Sequence, residues 1–236
     1  MKVRRLISTL LCLSLWAAPA SQDRDNKLNE ILDKIGNKYD TTEALFCRFE
    51  QWEKISQLKQ QIHLEGKIYF RKPHFIMMEM RGDENLDLYV NGEKIWLVDL
   101  DLDEVEISDF QQRNTNRDLM RFLPPFFLRS FVDLRELFGI SLISTERGKN
   151  RLELVPRDPG DYAFESLQFD VDGRGRISWL KMVYDAENFK IMKFQGWKKT
   201  PKISKYFFQY RKGKKDTGHW NHPLRRTARK AQGSGF

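Results

Sequence analysis

From Leu45 onward, apolar and polar side chains alternate with a period of two, in short runs separated by turn residues. Ile62, Leu64, Ile68 and Phe70 alternate with Gln61, His63, Glu65, Lys67, Tyr69 and Arg71, which predicts a strand with one dry and one wet face. Gly66 falls in the dry row, where a bend or bulge is expected. Pro73 ends this strand, and the soft run Phe75-Ile76-Met77-Met78-Glu79-Met80 begins another. Further strands are expected at 86–90, 94–98, 104–107, 140–145, 151–155, 165–171, 177–184, 189–197 and 204–210. Asn91-Gly92, Gly148-Lys149-Asn150 and Asp172-Gly173-Arg174-Gly175 supply hairpin turns between them. Successive strands with short turns and no βαβ alternation predict an antiparallel meander.

Two stretches carry a helical period instead. Over 25–39, Leu28, Ile31, Leu32 and Ile35 share one face, predicting an amphipathic helix that ends at Gly36 or soon after. Over 116–138 a crowd of Leu, Met and Phe surrounds Pro124-Pro125, and because a double proline cannot sit inside a helix, two short helices meeting at a kink are expected. This segment reads either as a plug for one end of the core or as a cover that can lift.

The N-terminus bears on compartment. Lys2, Arg4 and Arg5 precede an apolar run over 6–16 that ends in Ala17-Ala18-Pro19-Ala20. That is the layout of a secretory signal peptide, residues 1–20, with cleavage expected after Ala20. The run falls short of the ~20 apolar residues a spanning helix needs, and Leu11 before Cys12 is not the small residue that lipoprotein processing wants. Removal of the signal leaves Cys47 as the one cysteine, so no internal disulfide forms and an ordinary core must carry stability.

Net charge is +8, but the leader holds +3 of it and the stretch from Arg211 holds +7, leaving 21–210 at −2. The body is therefore not a basic nucleic-acid binder, and no nucleic-acid partner is expected. The basic tail, 211–236, reads as a solvated, disordered end or, more sharply, as a transient tether to anionic headgroups, each basic residue near the surface adding about 1 kcal/mol.

Seventeen Phe, six Trp and seven Met supply more large apolar volume than one sheet face normally covers. Methionine suits a surface that accepts variable shapes, and Met77, Met78 and Met80 cluster on one strand. An acyl chain moved from water into such a cavity gains about 0.8 kcal/mol per methylene. Catalytic signals are thin. His63, His74, His219 and His222 are the histidines, nothing local pairs one with Cys47 as a nucleophile, and His219 with His222 provides two metal ligands where zinc needs three or four. Asp99, Asp101, Asp103, Glu104 and Glu106 alternate with apolar residues and lack calcium-loop spacing, which reads as the wet side of a strand pair. No enzyme activity, metal or cofactor is expected.

Several short pieces, in order, resemble the LolA-type carriers of outer-membrane lipoproteins, from about Asp25 to Tyr210. Phe46-Cys47-Arg48-Phe49-Glu50-Gln51 is similar to the family's Phe-x-Gln strand, and Gly66-Lys67-Ile68-Tyr69-Phe70-Arg71-Lys72-Pro73 to its Gly-x-hydrophobic-Arg-Pro edge. Val90-Asn91-Gly92-Glu93-Lys94-Ile95-Trp96 resembles its Asp-Gly-Lys-x-Leu-Trp turn and strand, and Val155-Pro156-Arg157-Asp158 and Phe169-Asp170-Val171-Asp172-Gly173 also fit. The resemblance implies a half-closed antiparallel barrel or curved sheet over 21–210, with an N-terminal helix and a helical lid over a hydrophobic cavity. It also implies that the basic residue before the proline, Lys72 where the family has arginine, helps hold the lid shut without a guanidinium's forked hydrogen bonds.

On this reading the chain is a monomeric periplasmic carrier of lipoproteins or lipids, loaded by an inner-membrane lipoprotein-releasing transporter and unloaded to an outer-membrane acceptor. The alternative on the same fold is a periplasmic lipid- or lipoprotein-sensing regulatory domain. The acyl chains are expected against Phe49 on the first strand, Ile62, Leu64, Ile68 and Phe70 on the second, and Ile76, Met78 and Met80 on the third. Leu88 and Trp96 follow on the next two, and Phe122, Phe126 and Phe127 close from the lid.

Overall fold

The computed structural model describes residues 19–211 other than 59, 111–118, 121, 129 and 201–202. The expected leader up to residue 18, the tail from 212 and the first residues of the expected lid, 116–118, lie outside the described residues. Eleven strands form one antiparallel sheet. They are β1 (Ala44–Ile55), β2 (Gln60–Arg71), β3 (Phe75–Gly82), β4 (Leu86–Asn91), β5 (Lys94–Asp99), β6 (Glu104–Asp109), β7 (Phe138–Glu146), β8 (Lys149–Pro156), β9 (Ser166–Asp172), β10 (Ile177–Val183) and β11 (Phe189–Lys199). Their order in space, β6-β5-β4-β3-β2-β1-β11-β10-β9-β8-β7, joins two meanders through the pairing of β1 with β11. The sheet is not closed, since β6 and β7 are its two edges. The described residues of the connection between them, from Leu119 onward, pack into the core on the inner face.

Register shows which residues share that face. Leu45, Cys47 and Phe49 on β1 stand opposite Phe70, Ile68 and Gly66 on β2, which face Ile76, Met78 and Met80 on β3, and these face Val90, Leu88 and Leu86 on β4. On the other side Phe49 meets Phe194 and Gln51 meets Met192 on β11, followed by Leu180 and Met182, Phe169 and Leu167, then Leu152 and Leu154. The apolar members of these rows are buried and belong to one core. Gly66 is neither bend nor bulge, because pairing runs unbroken through it to both neighbours. It is glycine because a Cβ there would lie 1.7 Å from the Glu79 carbonyl oxygen and 2.8 Å from the Phe49 ring.

The N-terminal helix α1 (Pro19–Asp40) buries Ile31, Leu32, Ile35 and Tyr39 against this core. It runs through Gly36 rather than stopping there, since Tyr39 one turn later is itself an anchor: its hydroxyl accepts the Ile177 N–H at 3.1 Å. Arg24 near the other end donates to the Leu142 carbonyl. The segment 204–210 is not the strand its alternation predicts. It makes a 3-10 turn, Lys205–Phe208, that lies over the outer face of β3 and β4, with Phe208 buried, Phe207 edge-on to Tyr69 and the Arg71 guanidinium donating to the Ile203 carbonyl.

Candidate functional site

The connection from β6 to β7 forms the centre of the site. Its described residues include helical backbone at Leu119, Met120 and Phe122, a 3-10 turn Pro125–Phe127 and a short helix α2 (Phe131–Leu137), three pieces where two were expected. Pro125 opens the 3-10 turn, where its missing N–H costs nothing. Ser130 starts α2 with a reciprocal capping box, its hydroxyl accepting the Asp133 N–H while the Asp133 carboxylate accepts the Ser130 N–H. Most described backbone bonds of the segment close within it, Leu123 to Leu119, Phe127 to Pro124, Leu128 to Pro125 and Leu134 to Ser130, while at its C-terminal end the Arg157 N–H donates to the Leu137 carbonyl. Side chains seat the rest on the sheet.

Those side chains are aliphatic and aromatic, Leu119, Met120, Leu123, Leu128 and Leu134 sharing the core with Phe126, Phe127 and Phe131. Phe127 meets Phe70 at 6.0 Å, Trp197 at 6.2 Å and Phe194 at 6.3 Å between ring centroids. Phe126 meets Phe169 at 6.1 Å and Tyr39 at 6.4 Å, and stacks on Phe131 at 6.3 Å. Tyr39 and Trp197 brace the cluster through one residue of β10, since the Trp197 Nε1–H donates to the Ile177 carbonyl at 2.7 Å while the Ile177 N–H donates to the Tyr39 hydroxyl. Burial pushes the Tyr39 phenol well above its ordinary range and keeps it neutral. Arg135 of α2 forms an exposed ion pair with Asp33 of α1 at 2.7 Å.

Of the residues expected against acyl chains, Phe49, Leu64, Ile68, Phe70, Ile76, Met78, Met80, Leu88, Phe126 and Phe127 are buried in the core, and Ile62 and Phe122 pack partly buried against it. Trp96 is a correction. It pairs with Tyr89 and Ile107 while Leu97 pairs with Leu88, which puts Trp96 on the outer face. Met77 likewise faces outward, so the three methionines of β3 do not share one surface. Lys72 sits in the turn after β2, its N–H donating to the Glu43 carbonyl. Glu104 and Glu106 of β6 are exposed, as the wet side of a strand pair should be, although pairing with Asp99 and Leu97 gives them the parity of the inner face.

The pattern missed Trp197. An extra residue in β11 opposite Cys47, with Gly196 at φ +67, makes a bulge that swings Trp197 to the inner side. An isolated glycine inside a strand run was the available signal. Below this aromatic end, the face turns polar at Gln51, Glu53 and Lys190, and an open depression of about 500 Å³ lies beyond, lined by Leu86, Leu97, Asp99, Glu104, Val105 and Glu106. Cys47 is buried, and burial holds its thiol far above the ordinary range. Among the described residues, no three His, Cys, Asp or Glu side chains gather to hold a metal, and no helix is long and apolar enough to cross a membrane.

Comparison with known proteins gives consistent likenesses. The family profile described as outer membrane lipoprotein carrier protein LolA matches residues 40–211. The outer-membrane lipoprotein carrier protein of Francisella tularensis is 22% identical over 186 residues, covering 78% of this chain and 82% of its own. That of Xanthomonas campestris is 26% identical over 152 residues, covering 63% and 68%. Among solved structures, lipoprotein LppX of Mycobacterium tuberculosis superposes with a TM-score of 0.47 at 10% identity, covering 76% of this chain and all of its own.

Proposed function

This chain belongs to the outer-membrane lipoprotein carrier family, and from that premise we propose that it is a periplasmic carrier that takes up the acyl chains of lipoproteins or lipids between the sheet and the segment 119–137. The observation that carries the reading is the mode of attachment of that segment: among its described backbone bonds only the Arg157 N–H to the Leu137 carbonyl, at its C-terminal end, reaches the sheet, and apolar side chains seat the rest on the inner face. Residues 119–134 can lift about that C-terminal tether with Leu137 still held by Arg157.

The exchange is energetically balanced. Burying a Phe side chain contributes about 1.5–3 kcal/mol and each methylene about 0.8 kcal/mol. A few methylenes of a guest therefore replace each ring that withdraws, and loading stays reversible. The strand residues in contact with the guest are then Phe49, Leu64, Ile68, Phe70, Ile76, Met78, Met80 and Leu88, with Trp197 and Phe194 added and Trp96 left out. Met78, Met80, Met182 and Met192, all fully buried on this face, give it adaptable walls. Release to an acceptor, and loading from an inner-membrane donor, complete the proposed cycle. Nothing in the fold favours the sensor alternative.

The test joins α2 to α1. Asp33→Cys and Arg135→Cys, bridged by a short bismaleimide, should abolish transfer of a fluorescent acylated peptide from donor to acceptor vesicles. The unbridged double variant should transfer as the parent does. Equal transfer by the bridged protein would refute a lifting lid. Lipid mass spectrometry on protein purified from its own cell envelope should find acylated molecules bound, and a lipid-free preparation would count against the carrier role.

A further inference from the structure

The inner face is not uniformly oily. On β1 the row Leu45, Cys47, Phe49 continues into Gln51 and Glu53, and on β11 the row Phe194, Met192 continues into Lys190, which stands directly opposite Glu53. Lys190 Nζ lies 3.0 Å from Glu53 Oε2, and the lysine is 3% exposed. Gln51 is 2% exposed; its Nε2 approaches the same carboxylate oxygen at 3.4 Å, and its Oε1 has no hydrogen-bond partner. The carboxylate fixes the amide orientation, since Oε1 turned toward it would set two acceptors face to face. A buried acceptor is thus left without a donor, at a cost of about 1–3 kcal/mol.

This cluster sits at the end of the face away from the aromatic lid contacts, where the acceptors outnumber the cations. Glu84, in the turn between β3 and β4, has its carboxyl raised by burial and then by the charges of Glu53 and Asp99. Asp99, Glu104 and Glu106 line the open depression beside it. One end of the inner face is therefore dry and aromatic, and the other is acceptor-rich and opens on the depression.

We propose that Gln51, with Glu53 and Lys190 behind it, binds the N–H-bearing head of an amphiphilic guest, so that the guest enters with its amide or ammonium group at this end and its acyl chains pointing toward Phe127 and Trp197. The site rests on the carrier reading and adds an orientation and a head-group preference to it. An acylated peptide and an aminophospholipid both present such a donor, and an N–H head relieves the unmatched Gln51 oxygen, which an ester or a trimethylammonium head cannot do. The ion pair positions Gln51 rather than driving capture, because a buried pair of this kind contributes little net stability against apolar replacements.

Displacement of a bound fluorescent fatty-acyl probe tests this with matched pairs: an N-palmitoyl peptide amide against the corresponding palmitoyl ester, and phosphatidylethanolamine against phosphatidylcholine of the same chains. The parent protein should favour the N–H member of at least one pair by about fivefold. Preference in the first pair assigns the head to an acylated peptide, and preference in the second alone assigns it to an aminolipid. Gln51→Leu should erase the preference, so that both members of each pair displace the probe equally. The double variant Glu53→Met with Lys190→Met, checked for an unchanged melting temperature, should erase it as well. No preference in either pair by the parent, or a preference that survives Gln51→Leu, overturns the site and leaves the carrier reading standing. Failure of all four lipids to displace the probe defeats both.

Discussion

Shortening Phe127 to alanine removes the ring that meets Phe70, Phe194 and Trp197, and truncating a buried phenylalanine costs about 3–5 kcal/mol. Where that loss appears depends on how the segment is attached. If 119–134 is a lid seated on the sheet by side chains, the loss falls on the closed-to-open equilibrium of the segment and not on the sheet. At about 4 kcal/mol the open fraction then rises roughly a thousandfold, by the tenfold per 1.4 kcal/mol rule. Native-state hydrogen exchange separates the two cases. The amides of Leu123, Phe127, Leu128 and Leu134, whose acceptors lie inside the segment, should exchange faster by two to three orders of magnitude. Amides in the middle of β1 and β11 should hold their rates, and an apolar fluorescent dye should bind more strongly than to the parent. The reasoning is refuted if the β1 and β11 amides accelerate by the same factor as those of the segment. That outcome would make plug and sheet one cooperative unit with nothing free to lift.

Gly66→Ala should destabilise the fold by about 4 kcal/mol or prevent folding, because the new methyl meets the Glu79 backbone oxygen and the Phe49 ring at once; urea denaturation reads this directly, and a loss under 1 kcal/mol would contradict the close packing. Gly196→Ala should cost about 1–2 kcal/mol from the φ of +67 alone, and any shift of the bulge should redden and quench Trp197 emission in a protein whose other tryptophans are replaced by phenylalanine; unchanged stability and emission would argue against the bulge as the device that aims Trp197. Cys47, buried with its thiol raised, is protonated throughout the neutral range and out of reach; it should resist a thiol reagent in the folded protein at mildly alkaline pH and react stoichiometrically in urea, whereas rapid labelling of the native protein would show the inner face open at rest.

Much of this protein was readable in the order of its residues. Ile62, Leu64, Ile68 and Phe70 alternate with polar neighbours, and a period of two with one dry side leaves a strand a single way to face the core. The helical spacing of Leu28 to Ile35 and the breaks at Pro73 and Pro124-Pro125 were equally local signals. The lipoprotein-carrier resemblance rested on short pieces of the same kind, and the match over 40–211 agrees with it.

Other features were decided only by the tertiary structure. Ile95-Trp96-Leu97-Val98 is apolar on both sides, so alternation could not say which parity looks inward, and pairing with β4 sent Trp96 out. The alternation at 204–210 imitates a strand, yet that stretch is held on the outer face by Arg71 and Phe208 instead of by a ladder partner. The pairing of β1 with β11, strands more than a hundred residues apart, brings Gln51 and Glu53 to Lys190, and the bulge at Gly196 brings Trp197 to Phe127. Local periodicity assigns each side chain to a face of its own strand, while the neighbours across that face depend on contacts between distant segments. The inner surface and the segment that covers it were therefore visible in the sequence, and the aromatic and polar ends of that surface became visible only once the sheet was assembled.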